Sequence, residues 1–96
     1  MNENFETSRN TQNLTTLNTM GKTLEEALKN LEELTRQVNL TVNQIGWGNF
    51  DDETEKGFTG AQSPIFKHIH ELESSIYAFK AKIDAEKGRI MYGTGE

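Results

Sequence analysis

LNTMGKTLEEALKNLEELTRQVNLTVNQI, residues 17–45, is the stretch that decides the fold. Within it Leu17, Leu24, Leu31, Val38 and Ile45 fall seven apart, with Leu28 and Val42 interleaved and Leu14 extending the set. A period of 3.5 lays these side chains along one seam of a helix, and no strand-like alternation competes with it. The same period returns further on, where Ile69, Ile76, Ile83 and Ile90 are interleaved with Ile65, Leu72 and Phe79. Between the two runs stands Gly46-Trp47-Gly48, which holds the only tryptophan. The expectation is an all-α chain built as an antiparallel two-helix hairpin, with Leu17, Leu24, Leu28, Leu31, Val38, Ile45, Ile69, Leu72, Ile76, Phe79 and Ile83 forming the seam and the interface offered to a partner.

Local signals set the expected boundaries. Residues 1–11 are rich in Asn, Glu, Thr and Ser and read as a disordered start. The first helix is expected over about 12–45, softly at first because Asn and Thr fill its early turns, then firmly from the capping-box pattern Thr23-Leu24-Glu25-Glu26. Glu25 with Lys29, Lys29 with Glu33, and Glu32 with Arg36 are opposite charges four apart and mark a solvent face. Gly46 reads as the stop. A connector over 46–63 follows, long for a helix pair, holding a second capping-box pattern at Asp52-Glu53-Thr54-Glu55 and the breakers Gly57 and Gly60. Trp47, Phe50 and Phe58 read as an aromatic plug at the tip. Ser63-Pro64 reads as the N-cap and first residue of a second helix over about 64–88, with Gly88 as its stop. Residues 92–96 complete the chain as a flexible tail.

Composition narrows the functions. The chain has 96 residues, 33% hydrophobic and 26% charged, with a net charge of −5. A nucleic-acid backbone would be repelled by that field, since lysines are scattered among glutamates rather than gathered in a stripe. No apolar run approaches the roughly 18 residues that span a bilayer, and the polar start lacks the apolar core of a Sec signal peptide. The absence of cysteine removes disulfides and thiolate chemistry.

Catalytic and metal-binding patterns do not emerge. His68 and His70 are two apart, which on a helix turns them about 200° from one another, a poor spacing for one metal ion. Asp51, Asp52, Glu53 and Glu55 lack the alternation and central glycine of a calcium loop. No nucleophile turn supports a serine–histidine–acid set, and the glycines form no phosphate fingerprint after a strand. We therefore expect no enzyme, no metal and no cofactor. The apolar stripe of the first helix is widened by Met20, Ala27 and Leu34 beyond what a two-helix contact uses, so the hairpin is expected to associate into a four-helix or larger bundle.

The layout resembles the small Trp-x-Gly proteins of bacterial type VII (ESX) secretion. The resemblance rests on two long helices, the tip Gly46-Trp47-Gly48, and an acid four residues after a tyrosine at Tyr92-Gly93-Thr94-Gly95-Glu96. The tip departs from the family pattern, because Gly48 follows Trp47 directly and Asn49 stands where the family has its glycine. The connector, read as 46–63, is also longer than the family's tight turn. In these departures the chain is similar to the divergent helical proteins encoded beside LXG toxins. The resemblance implies a non-enzymatic partner protein, secreted or targeting an LXG toxin by binding its N-terminal helical domain, a small helical paralogue or a second copy. It also implies residence in the cytoplasm before export, then a secreted or cell-surface location. Trp47 and Gly48 would form the tip element, and Tyr92 with Glu96 the tail element, of an export signal read by the secretion ATPase. The alternative is a self-assembling structural or adaptor bundle of a phage or another secretion apparatus.

Overall fold

The computed structural model describes the backbone of residues 2–92 and side chains from residue 8 to 92. Two helices account for nearly all of it, α1 (Asn2–Trp47) and α2 (Asp52–Tyr92), joined by residues 48–51, and no strand occurs among the described residues. The chain is an all-α helical hairpin. Contacts divide it into two units, through both of which the two helices pass.

The first unit joins Met1–Ala27 to Ile76–Glu96. Its innermost side chain is Ile83, only 3% exposed, with Leu14, Leu17, Met20, Leu24 and Ala27 of α1 and Ile76 and Ile90 of α2 half-buried. α1 is helical from Asn2, where the sequence suggested a disordered start. Extending an existing helix gains a hydrogen bond per residue without a new nucleus, which outweighs the few tenths of a kcal/mol lost at each Asn or Thr. Thr23 lies inside the helix rather than capping it: its hydroxyl donates to the Thr19 carbonyl (3.0 Å).

The second unit is Leu28–Ser75, including the tip. Ile69 is its buried apolar residue, 4% exposed, and Leu31, Thr35, Val38, Ile45 and Phe66 are half-buried. The expected 46–63 connector is in fact four residues long. Gly46 is inside α1, which closes on a tight final turn with Gly48 N–H donating to the Ile45 carbonyl (3.1 Å). The cap of α2 is Asp51, one residue before the expected position, its Oδ1 accepting from Thr54 N–H at 2.7 Å. Asp52, Glu53 and Glu55 in the first turn complement the helix dipole.

With that start in place, Gly57, Gly60 and Pro64 are all carried inside α2. Ser63 does not cap; its hydroxyl donates back to the Thr59 carbonyl. Pro64 lacks the N–H that would have bonded the Gly60 carbonyl, so the helix continues with one rung missing. At the far end Gly88 is likewise helical, and α2 runs to Tyr92.

In each unit a residue expected on the seam lies off it. The row Ile69, Ile76, Ile83 and Ile90 is inside as expected, but Leu72 (53% exposed) and Phe79 (50%) are not. The second inward row is Phe66, Glu73, Lys80 and Lys87, all half-buried. In the second unit Phe66 and Glu73 border Glu32 and Thr35 of α1. In the first unit Lys80 and Lys87 border Asn18, Gly21, Lys22 and Glu25, and Lys80 Nζ reaches Glu25 Oε2 at 3.5 Å. Long polar side chains cover the seam with their stems while their charged ends stay wet.

Candidate functional site

What the packing leaves uncovered is apolar and regular. Phe58, Ile65 and Leu72 of the second unit, and Phe79 of the first, are spaced seven apart along α2 and are 41%, 40%, 53% and 50% exposed. Exposed apolar residues at heptad spacing are the sequence pattern by which a helix meets another helix.

Each unit has an open apolar groove beside this row. In the first unit, Phe79 borders a groove of about 380 Å³ with Thr15, Thr16, Thr19, Met20, Thr23 and Leu24. Its threonines are apolar at the surface for a specific reason. Thr15 donates its hydroxyl to Thr11 O (3.0 Å), Thr19 to Thr15 O (3.1 Å) and Thr23 to Thr19 O (3.0 Å). Back-bonding to the preceding turn satisfies each hydroxyl within α1. The γ-methyls remain to be covered.

In the second unit, a groove of about 380 Å³ is lined by Thr41, Gln44, Ile45, Phe50, Phe58, Ala61, Gln62 and Ile65. Phe50 and Phe58 meet edge to face there. Gln62 is 8% exposed, and its Oε1 is buried with no hydrogen-bond partner. Sequence reasoning overlooked Gln62, although the signal was present: it stands seven residues before Ile69 and so extends the inner row by one heptad.

Trp47 is not part of the tip plug. It ends α1 with 80% of its surface exposed, while Gly48 lies so close to Phe50 that an added Cβ would stand 2.3 Å from the ring. Tyr92, the last residue of α2, is 76% exposed and belongs to the other unit. Glu96, the remaining member of the expected tail element, lies outside the described residues.

The charged groups form local pairs. Arg36 donates to Glu33, three residues back, rather than pairing with Glu32, and Arg89 does the same with Glu86. The guanidinium hydrogen bonds hold both carboxyls below the usual glutamate value and raise both arginines. Glu25 turns to Lys80 rather than to Lys29. Such exposed pairs fix surface geometry more than stability. His68 approaches Glu71 (3.1 Å) and His70 approaches Glu73 (3.5 Å), each histidine with its own acid. Among the described residues no three or more His, Cys, Asp or Glu side chains are gathered as a metal site would require. No helix among them is long and apolar enough to cross a membrane.

Comparison of the chain with protein-family models, with curated proteins and with solved structures finds no match in any of the three.

Proposed function

We propose that this chain is a non-enzymatic helical binding protein of a bacterial type VII secretion system, secreted itself or acting as the targeting partner of an LXG-type toxin. The observation that carries the reading is the apolar surface left open in each unit, Ile65 and Leu72 of α2 with a groove in the second and Phe79 of α2 with a groove in the first. The apolar face of a partner helix fits such a surface. The turn of residues 48–51 adds support, because it is as short as the Trp-x-Gly layout requires. Trp47 adds more, since an exposed indole is open to another protein as a core plug is not. Tyr92, exposed at the end of α2, suits the tail element of an export signal.

The test is co-expression with the N-terminal helical domain of an LXG toxin. The wild-type chain is expected to co-purify with that domain, and Leu72→Glu/Phe79→Glu to lose it while keeping its helical circular dichroism. In the native secretor, Trp47→Ala and Tyr92→Ala are each expected to abolish export. Capture that survives the double substitution, together with unaltered export of both single variants, would sink the proposal.

A further inference from the structure

We propose that the groove of the second unit selects a basic amphipathic helix, whose apolar face lies in the groove and whose cationic flank lies against the first turn of α2. This rests on the proposed function only in taking the groove as the seat of a partner helix, and it adds the chemistry of that helix. The seat itself is apolar and uncharged. Ile45, Phe50, Phe58, Ala61 and Ile65 wall about 380 Å³, and no charged side chain lines it. Such walls favour the apolar face of any helix, so discrimination among partners has to come from the rim.

The rim is acidic and uncompensated. From Gln37 to Phe66 the charged residues are Asp51, Asp52, Glu53 and Glu55, against Lys56 alone. They lie between two of the groove's walls: Asp51 follows Phe50 directly, and Glu55 stands one helical turn before Phe58. Asp51 is engaged in capping Thr54, and none of Asp52, Glu53 and Glu55 makes an ion pair. Arg36, the nearest cation on α1, is already held by Glu33. The N-terminus of α2 does favour anions, but its dipole is worth about half a unit charge. The carboxylates outnumber the single lysine by more than that, so the first turn keeps a net negative field. Lysine or arginine flanking the apolar face of an incoming helix is attracted to this rim, and glutamate in the same place is repelled. The tip of a second copy, carrying the same acids, is repelled as well.

The test titrates the full chain calorimetrically with two synthetic helical peptides that share one leucine face. One carries lysines on its flanks, and its twin carries glutamates in their place. The lysine peptide is expected to bind about tenfold more tightly or better at low salt, and the gap to narrow as salt rises. Asp52→Asn/Glu53→Gln should shrink the preference while the helical circular dichroism is kept, and Asp52→Lys/Glu53→Lys should reverse it. Ile65→Ser should weaken binding of the lysine peptide, which places it in this groove rather than on the acids alone. Equal affinity for the two peptides overturns the proposal and leaves the proposed function standing, since a partner helix of another charge could still use the groove. Lysine-peptide binding that is unchanged in Ile65→Ser overturns it too, as does no binding of either peptide. Failure to capture the toxin domain would instead count against the proposed function, because the peptide titration involves no toxin.

Discussion

Phe50 meets Phe58 edge to face at the tip, ring centroids 5.3 Å apart and planes at 77°, and Gly48 is the residue that lets the Phe50 ring lie there. A Cβ on Gly48 would stand 2.3 Å from Phe50 Cε2 and 2.7 Å from Cδ2. Gly48→Ala must therefore displace the ring and break the pair, at a cost of about 0.5–1.5 kcal/mol. Urea midpoints provide the measurement. In a Phe50→Ala background the same substitution should cost little, because the atoms it would strike are gone.

The two rows of α2 predict opposite responses to truncation. Ile83 and Ile69 are 3% and 4% exposed, and Ile→Ala at either should destabilise the chain by about 2–5 kcal/mol, the range for a buried aliphatic side chain. Leu72→Ala, at a position 53% exposed, should change stability by no more than about 0.5 kcal/mol. Thermal unfolding followed by circular dichroism separates the two.

Asp51 gives the tip an acid-sensitive component. The hydrogen bond from Thr54 N–H holds its carboxyl below the ordinary value of 3.8. A folded-state value lower than the unfolded one means that the unfolded chain binds more protons in this range, so stability rises with pH. The contribution is complete above 3.8 and is lost as pH falls through the folded value. Asp51→Asn keeps a capping oxygen and cannot titrate. The wild-type urea midpoint should fall more steeply than the variant's over that acid window, with the two curves parallel above it.

Pro64→Ala should stabilise the chain. The substitution restores an N–H to the Gly60 carbonyl inside α2, where an interior proline costs roughly 3 kcal/mol relative to alanine. A stiffer unfolded chain offsets part of that penalty for the wild type. A rise in the thermal midpoint equivalent to about 1–2 kcal/mol is expected, and an unchanged midpoint would mean that the helix already accommodates the ring without loss.

The period of seven was enough to read two helices and the inner row from Ile69 to Ile90, but not the helix starts, since α1 begins at Asn2 and α2 at Asp52 rather than near 12 and 64. It could not distinguish the two flanks of that row. Counting apolar residues favoured Leu72 and Phe79, whereas the inward flank holds Glu73, Lys80 and Lys87, whose stems cover the seam. Capping signals were legible in kind and misplaced by position. Pro64 after Ser63 has the composition of a helix start, yet the earlier cap at Asp51 forms and the helix continues through the proline. Trp47 was expected in the tip plug because tryptophan is bulky and apolar; Phe50 and Phe58 satisfy each other without it. The orphaned oxygen of Gln62 could not have been anticipated from residue type, since it depends on which neighbours the packing brings near.

The back-bonded threonines of α1 make adhesion a property of conformation. In an extended chain, Thr15, Thr19 and Thr23 show water their hydroxyls and behave as ordinary polar residues. Once helical, each turns its hydroxyl onto the preceding turn and leaves a methyl outside. These three threonines thus present polar groups when the chain is unfolded and apolar ones when it is coiled. The apolar character of this side of α1 is set by the helix rather than by residue type, so its capacity to bind another apolar surface reports the fold itself.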